Sequence, residues 1–232
     1  MKFRVMAAAC LAAVLLTACQ TTGHQRITEF NRVSGSPRIL LVPVDVELSE
    51  VTAGGLQEPK ADWTETARQH IGPVLRAEHD QRGNHLVEMI EADGDPDRDI
   101  HHQIVKLHSL VGRSILLHQY IPQLQLPAKN GQFDWSLGPS VQALRRKYDA
   151  DYALFVYIRD SYASAGRVAM ILVEAMLGVG MPGGAQVGFA SLVDLNTGDV
   201  VWFNRLARPG GDLRTAEAAQ ETMKVLLTGL PK

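Results

Sequence analysis

Apolar and polar residues alternate along the chain in segments whose spacing predicts a mixed succession of strands and helices. Arg38 to Val46 is a β-branched and leucine-rich run of strand length, bounded by Pro37 and a polar loop, with a bulge or an edge at Pro43. Residues 48–61, with Gly54-Gly55 and Pro59, read as loop. Asp62 and Glu65 have the spacing of an N-cap and its capping-box partner, and Trp63, Ala67, Ile71, Val74 and Leu75 share a helical face. A helix over about 63–81 follows, which Pro73 must kink or break. Beyond the acidic stretch Glu91 to Asp99, Ile100, Ile104, Leu107, Val111, Ile115 and His118 recur three and four apart, as in an amphipathic helix. Residues 119–135, with Pro122, Pro127 and Asn130-Gly131, read as a long loop; a short helix from about Pro139 to Tyr148 follows.

Asp151 to Ile158 is aromatic and β-branched, a clear strand. Val168 to Leu177 is nearly all apolar, broken by Glu174, and gives way to Gly178, Gly180, Gly183 and Gly184 with Pro182. So short a run does not span a bilayer as a helix. It is either core or a contact surface, and as a surface it needs a protein or lipid partner. From Ala185, the apolar odd positions Val187, Phe189, Val193 and Leu195 against Gln186 and Asp194 give the alternation of a half-buried strand. With Asn196-Thr197-Gly198 as the turn, an antiparallel hairpin is expected at 186–206. Asp212 then caps a helix with Leu213, Ala216, Ala219, Met223, Leu226 and Leu227 on one face, stopped at Gly229. The expected fold is α/β with an α+β character: a mixed sheet with an antiparallel hairpin, flanked by helices, in a single domain over 37–232 with an insertion at about 161–186.

At 232 residues, 46% hydrophobic and 21% charged, the chain is long enough for one substantial core. Its 23 Lys+Arg against 25 Asp+Glu give no basic field to hold a phosphate backbone, so nucleic acid is not an expected partner. The two cysteines, Cys10 and Cys19, both lie near the amino terminus. The body therefore offers no thiol for a disulfide, a metal site or a nucleophile.

Residues 1–18 have the grammar of an export signal: Lys2 and Arg4, an apolar run from Val5 to Leu16, and the small pair Thr17-Ala18. Such a run spans only about 18 Å as a helix, against a hydrocarbon core of roughly 30 Å. Leu16-Thr17-Ala18-Cys19 resembles the lipobox of bacterial lipoproteins. The resemblance implies cleavage before Cys19, a diacylglyceryl group on its sulfur and a further acyl chain on its nitrogen, palmitate among them. Several acyl chains anchor stably where one would be marginal. Gln20 stands where such lipoproteins retained in the inner membrane have Asp, which implies the periplasmic face of the outer membrane. Residues 19–36 are then the lipidated cysteine and a flexible tether, since 20–36 are polar and without sustained period.

The order strand, helix, helix, then Arg-Lys-Tyr-Asp-Ala-Asp-Tyr-Ala-Leu-Phe-Val156, an insertion, Leu192-Val-Asp-Leu-Asn-Thr-Gly-Asp-Val-Val-Trp202 and a closing helix resembles a group of bacterial envelope lipoproteins. The group shares a fold with the curli-secretion pore lipoprotein, the lipoprotein activators of penicillin-binding proteins and the amino-terminal domain of TolB. The match covers about 38–46 and 140–230. It is similar above all to small lipoproteins whose insertion ends in Pro-Gly-Gly-x-Gln, here Pro182 to Gln186. The pore-forming relatives turn residues between core strands into membrane hairpins, whereas Val168 to Leu177 lacks a barrel strand's alternation. The expected function is a lipid-anchored periplasmic interaction module that binds or scaffolds another envelope component or self-associates, without catalysis. The second expectation is an oligomeric accessory or channel component of a secretion or polysaccharide-export system. The contact is expected at Leu172, Val173, Met176, Leu177 and Met181.

Other candidate chemistry is weaker. Gly178-Val-Gly-Met-Pro-Gly183 has the letters of a dinucleotide loop, but Pro182 and the strand after Gln186 leave no helix whose N-terminus would face a pyrophosphate. No nucleotide and no other cofactor is expected. Asp93, Asp95 and Asp97 have the alternate spacing of a calcium loop, yet Arg98 and Ile104 replace its Gly and bidentate Glu. They read as a solvated loop whose Asp97 or Asp99 caps the next helix. His101, His102, His108 and His118 lack a His-Glu-x-x-His arrangement and read as polar-face histidines, so no metal is expected. Ser114 lies inside a helix with no strained turn to expose it, and Arg145-Arg146-Lys147 reads as a solvated basic face.

Overall fold

Every residue of the long strand Tyr152–Ala163 up to Tyr157 is buried, odd positions as well as even, which happens only when both faces of a sheet are covered. The structure, a computed structural model, describes residues 21–26 (main chain), 37–80, 85–90, 94–177, 180 and 182–231. Its elements are β1 (Thr21–Arg26), β2 (Arg38–Leu41), β3 (Asp45–Val51), β4 (Gln57–Pro59), α1 (Ala61–Asp80), β5 (His85–Glu88), α2 (Arg98–Tyr120), α3 (Gln142–Tyr148), β6 (Tyr152–Ala163), α4 (Ala165–Met176), β7 (Gln186–Asp194), β8 (Val200–Arg208) and α5 (Ala216–Leu226). The strands form one mixed sheet in the order β1-β8-β7-β6-β2-β5, with β3 on β6 and β4 on β3. The α/β class with an antiparallel hairpin and flanking helices is therefore the observed one.

Side-chain alternation sorts the core onto two faces. Leu154, Val156, Ile158, Leu192 and Trp202 point to one side, where Ile71 and Leu75 of α1 and Met223 and Leu226 of α5 cover them. Phe155, Tyr157, Phe189, Val193 and Phe203 point to the other, beneath Ile104 and Ile115 of α2, Leu144 of α3 and Trp135. The strand expected at 185–195 is thus buried on both faces from Gly188 onward, because its intervening positions Gly188, Ala190 and Leu192 pack against the α1 and α5 layer.

Several local expectations are corrected. The run at 38–46 is two strands, β2 and β3, laid end to end along one edge of β6: Leu41 pairs Leu154 and Asp45 pairs Tyr157. Between these pairs three residues on one side thus oppose two on the other, and Pro43, which lacks a donor, sits in the break. The loop expected at 48–61 holds the end of β3 and β4. α1 begins at Ala61, so Asp62 lies in its first turn and is not its cap. The helix runs through Pro73 unbroken; the carbonyl that loses its donor belongs to Gln69, on the exposed side. Thr215, not Asp212, caps α5, accepting from the Ala218 amide. The tether expected at 20–36 contains β1, antiparallel to β8 from Thr21 opposite Ala207 to Arg26 opposite Trp202. An edge strand held by main-chain bonds needs no apolar alternation, so hydropathy does not mark it. The signal segment 1–18 and Cys19 lie outside the described residues.

Candidate contact face

The insertion between β6 and β7 is a helix with its polarity inverted. α4 carries two charged side chains, Arg167 and Glu174, and both turn inward: Arg167 is buried and Glu174 half-buried with its Oε2 enclosed. The outward positions are Val168, Met170, Leu172, Val173, Met176 and Leu177, of which Leu172 is 58%, Leu177 75% and Met176 85% exposed. A helix on a soluble domain ordinarily shows the opposite arrangement, with an apolar stripe inward and charge outward.

The root of α4 explains why it holds this orientation. Ser164 follows β6 directly, donates its amide to Val51 O at 2.9 Å and caps the helix by accepting from the Arg167 amide at 3.1 Å. The Arg167 guanidinium donates to Pro182 O through Nη2 (3.1 Å) and Nε (3.4 Å), which ties the first turn to the returning chain. Ile171 is half-buried over Gly183. Gly184 passes so close to β6 that a Cβ there would stand 2.1 Å from Ser161 O, and Ser161 and Ala185 exchange main-chain and hydroxyl hydrogen bonds at 2.9–3.1 Å. The turn 52–56 between β3 and β4 packs beside α4, with Ala53 near Gly166 and Gly55 near Arg167. Leu56 in that turn is 72% exposed.

Beneath this root lies a buried polar cluster. Asp160 Oδ2 accepts from Tyr162 Oη (2.5 Å) and Gln186 Nε2 (2.8 Å). Gln186 Oε1 accepts from Arg208 Nε (2.8 Å), and Arg208 goes on to Thr222 Oγ1 (2.7 Å) and Glu221 Oε1 (2.8 Å). Burial raises the Asp160 carboxyl above the ordinary carboxylate range, against the lowering pull of these donors, and burial with the neighbouring carboxylate raises Tyr162. The cluster joins the ends of β6, β7 and β8 to α5 and so braces the platform from which α4 projects.

Leu172, Val173, Met176 and Leu177, expected as contact residues, are brought together on one exposed face; Met181 lies outside the described residues. Leu56 and the exposed Val187 were missed by sequence reasoning. A leucine after Gly54-Gly55, with nothing apolar at its spacing, was the available signal for the first; Val187 looked like one more inward position of an alternating strand.

The other candidates resolve differently. His101 and His108 are buried, not on a polar face. His108 stacks on Phe155 at 4.5 Å, its Nε2 meets Ser191 Oγ at 2.9 Å, and burial lowers its pKa to about 3. Asp97 precedes α2 and receives the His101 amide on its carbonyl, with no side-chain cap. Asp95 pairs with Lys147, Arg145 reaches Asn196 Oδ1 at 3.1 Å, and Asp93 lies outside the described residues. Among the described residues, no three His, Cys, Asp or Glu side chains group as a metal site. A strand, β7, follows the glycine-rich segment. At the break between β2 and β3, two adjoining hollows of about 270 and 350 Å³ share Pro43, Val44, Arg68 and Met89; the Arg76 guanidinium at the first is held by Glu88 at 2.6 Å.

No family model matches the chain, and no curated protein matches it. Among solved structures it is similar to a PelC dodecamer from Paraburkholderia phytofirmans, at 12% identity over 90% of this chain and 97% of that one, with a TM-score of 0.40. A variant of that dodecamer gives 14% identity over 90% and 96%, with a TM-score of 0.39. The lipoprotein GNA1162 from Neisseria meningitidis gives 12% identity over 84% and 99%, with a TM-score of 0.33. Likenesses at this level set no correspondence between residues.

Proposed function

We propose that the chain is a lipid-anchored protein of the bacterial envelope that acts by contact rather than by catalysis, with the α4 face as its contact surface. Anchoring rests on the lipobox-like Leu16-Thr17-Ala18-Cys19 behind a charged and apolar leader. The observation that carries the contact reading is α4 itself. It turns Arg167 and Glu174 inward and gathers six apolar side chains outward, and contiguous exposed apolar surface of this kind marks protein or membrane interaction sites. The outer membrane, periplasmic face, is the compartment that Gln20 after the cysteine favours.

Two measurements test this. Expressed in a bacterial host, the full chain should incorporate labelled palmitate and sediment with membranes, and Cys19→Ala should do neither. The unlipidated protein should bind an apolar-surface dye, and Leu172→Asp combined with Met176→Asp should abolish that binding at an unchanged melting midpoint. Labelling that survives Cys19→Ala removes the anchor, and a double variant that no longer folds makes the face core.

A further inference from the structure

The sheet register places Thr21, two residues after Cys19 in sequence, at the same end of the sheet as the root of α4. Thr21, the first residue of β1, pairs with Ala207; Ala207 pairs with Val187, and Val187 with Arg159. One step further along β6 lies Asp160, opposite Gln186, and the strand runs out at Ala163 into α4. Val51, where β3 enters the turn carrying Leu56, pairs with Ala163. Thr21, Val187, the 52–56 turn and the root of α4 thus stand along one rim of the sheet. β1 and β6 are three strand spacings apart, about 14 Å. Cys19 is two residues before Thr21, a reach of at most about 7 Å.

The opposite rim is of different chemistry. There the β7–β8 turn presents Asn196 and Thr197, Arg38 pairs with Asp149 at 2.9 Å and donates its amide to Asp151 Oδ2 at 3.0 Å, and Arg145 reaches Asn196. Leu56, the outward α4 side chains and Val187 are all exposed apolar residues at the rim where β1 begins.

Resting on the lipoprotein reading, we infer that the occupant of the α4 face is the bilayer itself. Acyl chains on Cys19 hold this rim against the membrane, and α4 lies along the surface with Leu172 and Met176 among the lipid chains. No described helix is long and apolar enough to cross a membrane, and α4, with 12 residues, spans about 18 Å, so it lies on the bilayer and does not pass through it. The short link to β1 gives the domain a set orientation, with the polar rim directed away from the lipid. A second copy of the chain is the competing occupant, and it would be covered without any membrane present.

The mature lipidated chain has its one cysteine acylated, so single thiols can be placed at will. Leu56→Cys, Leu172→Cys, Val187→Cys and, at the polar rim, Asn196→Cys are labelled with a solvent-sensitive fluorophore in vesicles of phosphatidylethanolamine and phosphatidylglycerol. Labels at 56, 172 and 187 should shift to the blue and be quenched severalfold more by nitroxide-bearing lipid than the label at 196. A label at 172 as open to an aqueous quencher as that at 196 overturns the inference. So does a label at 172 that is shielded equally without vesicles, in unlipidated protein whose light scattering shows a discrete oligomer; the contact reading then stands with a second copy as occupant. Unfolding of the Leu172→Asp, Met176→Asp protein removes the contact reading as well.

Discussion

Gly112 of α2 lies against the ring of Phe189 in β7: a Cβ built on the glycine would stand 2.0 Å from the ring's Cε2 atom. The ring is fully buried and stacked on both sides, with Tyr157 at 4.7 Å and Phe203 at 5.4 Å between centroids, so it has no open space to move into. The close approach of α2 to the sheet therefore depends on this glycine. Alanine would gain about 1 kcal/mol of helix propensity, but forcing a methyl into a packed core costs typically about 1–3 kcal/mol. Gly112→Ala should lower stability in urea denaturation, and a rise would show that the helix can shift at no cost.

His108 makes stability depend on pH in a defined direction. Its folded pKa is lowered to about 3 by burial, against about 6.5 when unfolded. Above pH 6.5 the ring is neutral in both states and its packing contributes fully. As pH falls from 6.5 toward 3, the unfolded chain takes up a proton that the folded chain refuses, and stability drops by up to about 1.4 kcal/mol per pH unit. Denaturation midpoints between pH 7 and 4.5 should fall less steeply for His108→Gln than for the parent.

Asp160 distinguishes an acceptor from a charge. Its Oδ2 receives the half-buried Tyr162 Oη and the buried Gln186 Nε2, so Asp160→Ala leaves both donors without that acceptor and should cost about 2–4 kcal/mol, at about 1–3 kcal/mol for the buried group and less for the half-buried one. Asn at 160 keeps an acceptor and cannot ionise. Because the folded pKa is raised, the carboxyl contributes most below its unfolded value near 4, and that contribution is lost as pH rises through the folded value. Asp160→Asn should thus be far milder than Asp160→Ala at pH 7, as measured by thermal melting.

Neighbours on α4 should behave oppositely. Leu172 is 58% exposed and Leu172→Asp should change stability by no more than about 0.5 kcal/mol. Ile171 sits over Gly183, and Ile171→Asp places a carboxylate against that packed turn, so it should destabilise measurably more. Equal losses for the two variants in urea denaturation would show that α4 packs by both sides.

How much of the fold was legible depended on whether a residue's partner lay nearby in sequence. The β7–β8 hairpin was legible because Asn196-Thr197-Gly198 closes it locally, with Gly198 at φ +89°, and α2 because its apolar spacing is its own. β5 was missed, since four residues, His85–Glu88, form a strand only by pairing with β2, more than forty positions earlier. The same holds for the buried face of His101 and His108: the spacing put them together on a helix, and only the aromatic rings against them, Tyr148 at His101 and Phe155 and Phe189 at His108, decided that this face is inside.

By itself, the sequence determined the amino-terminal signal grammar, the α/β class, the order of most elements and the apolar character of residues 168–177, because each is written in the residues of a single segment. It left open whether that apolar run was core or surface. Only the tertiary structure decided this, since exposure depends on which neighbours cover a helix, and here Arg167 and Ser164 tie α4 down by its polar groups. The register of β1 on β8 was likewise a tertiary decision. Main-chain pairing is indifferent to side-chain pattern, and it is that pairing which sets Thr21 at the rim where α4 begins.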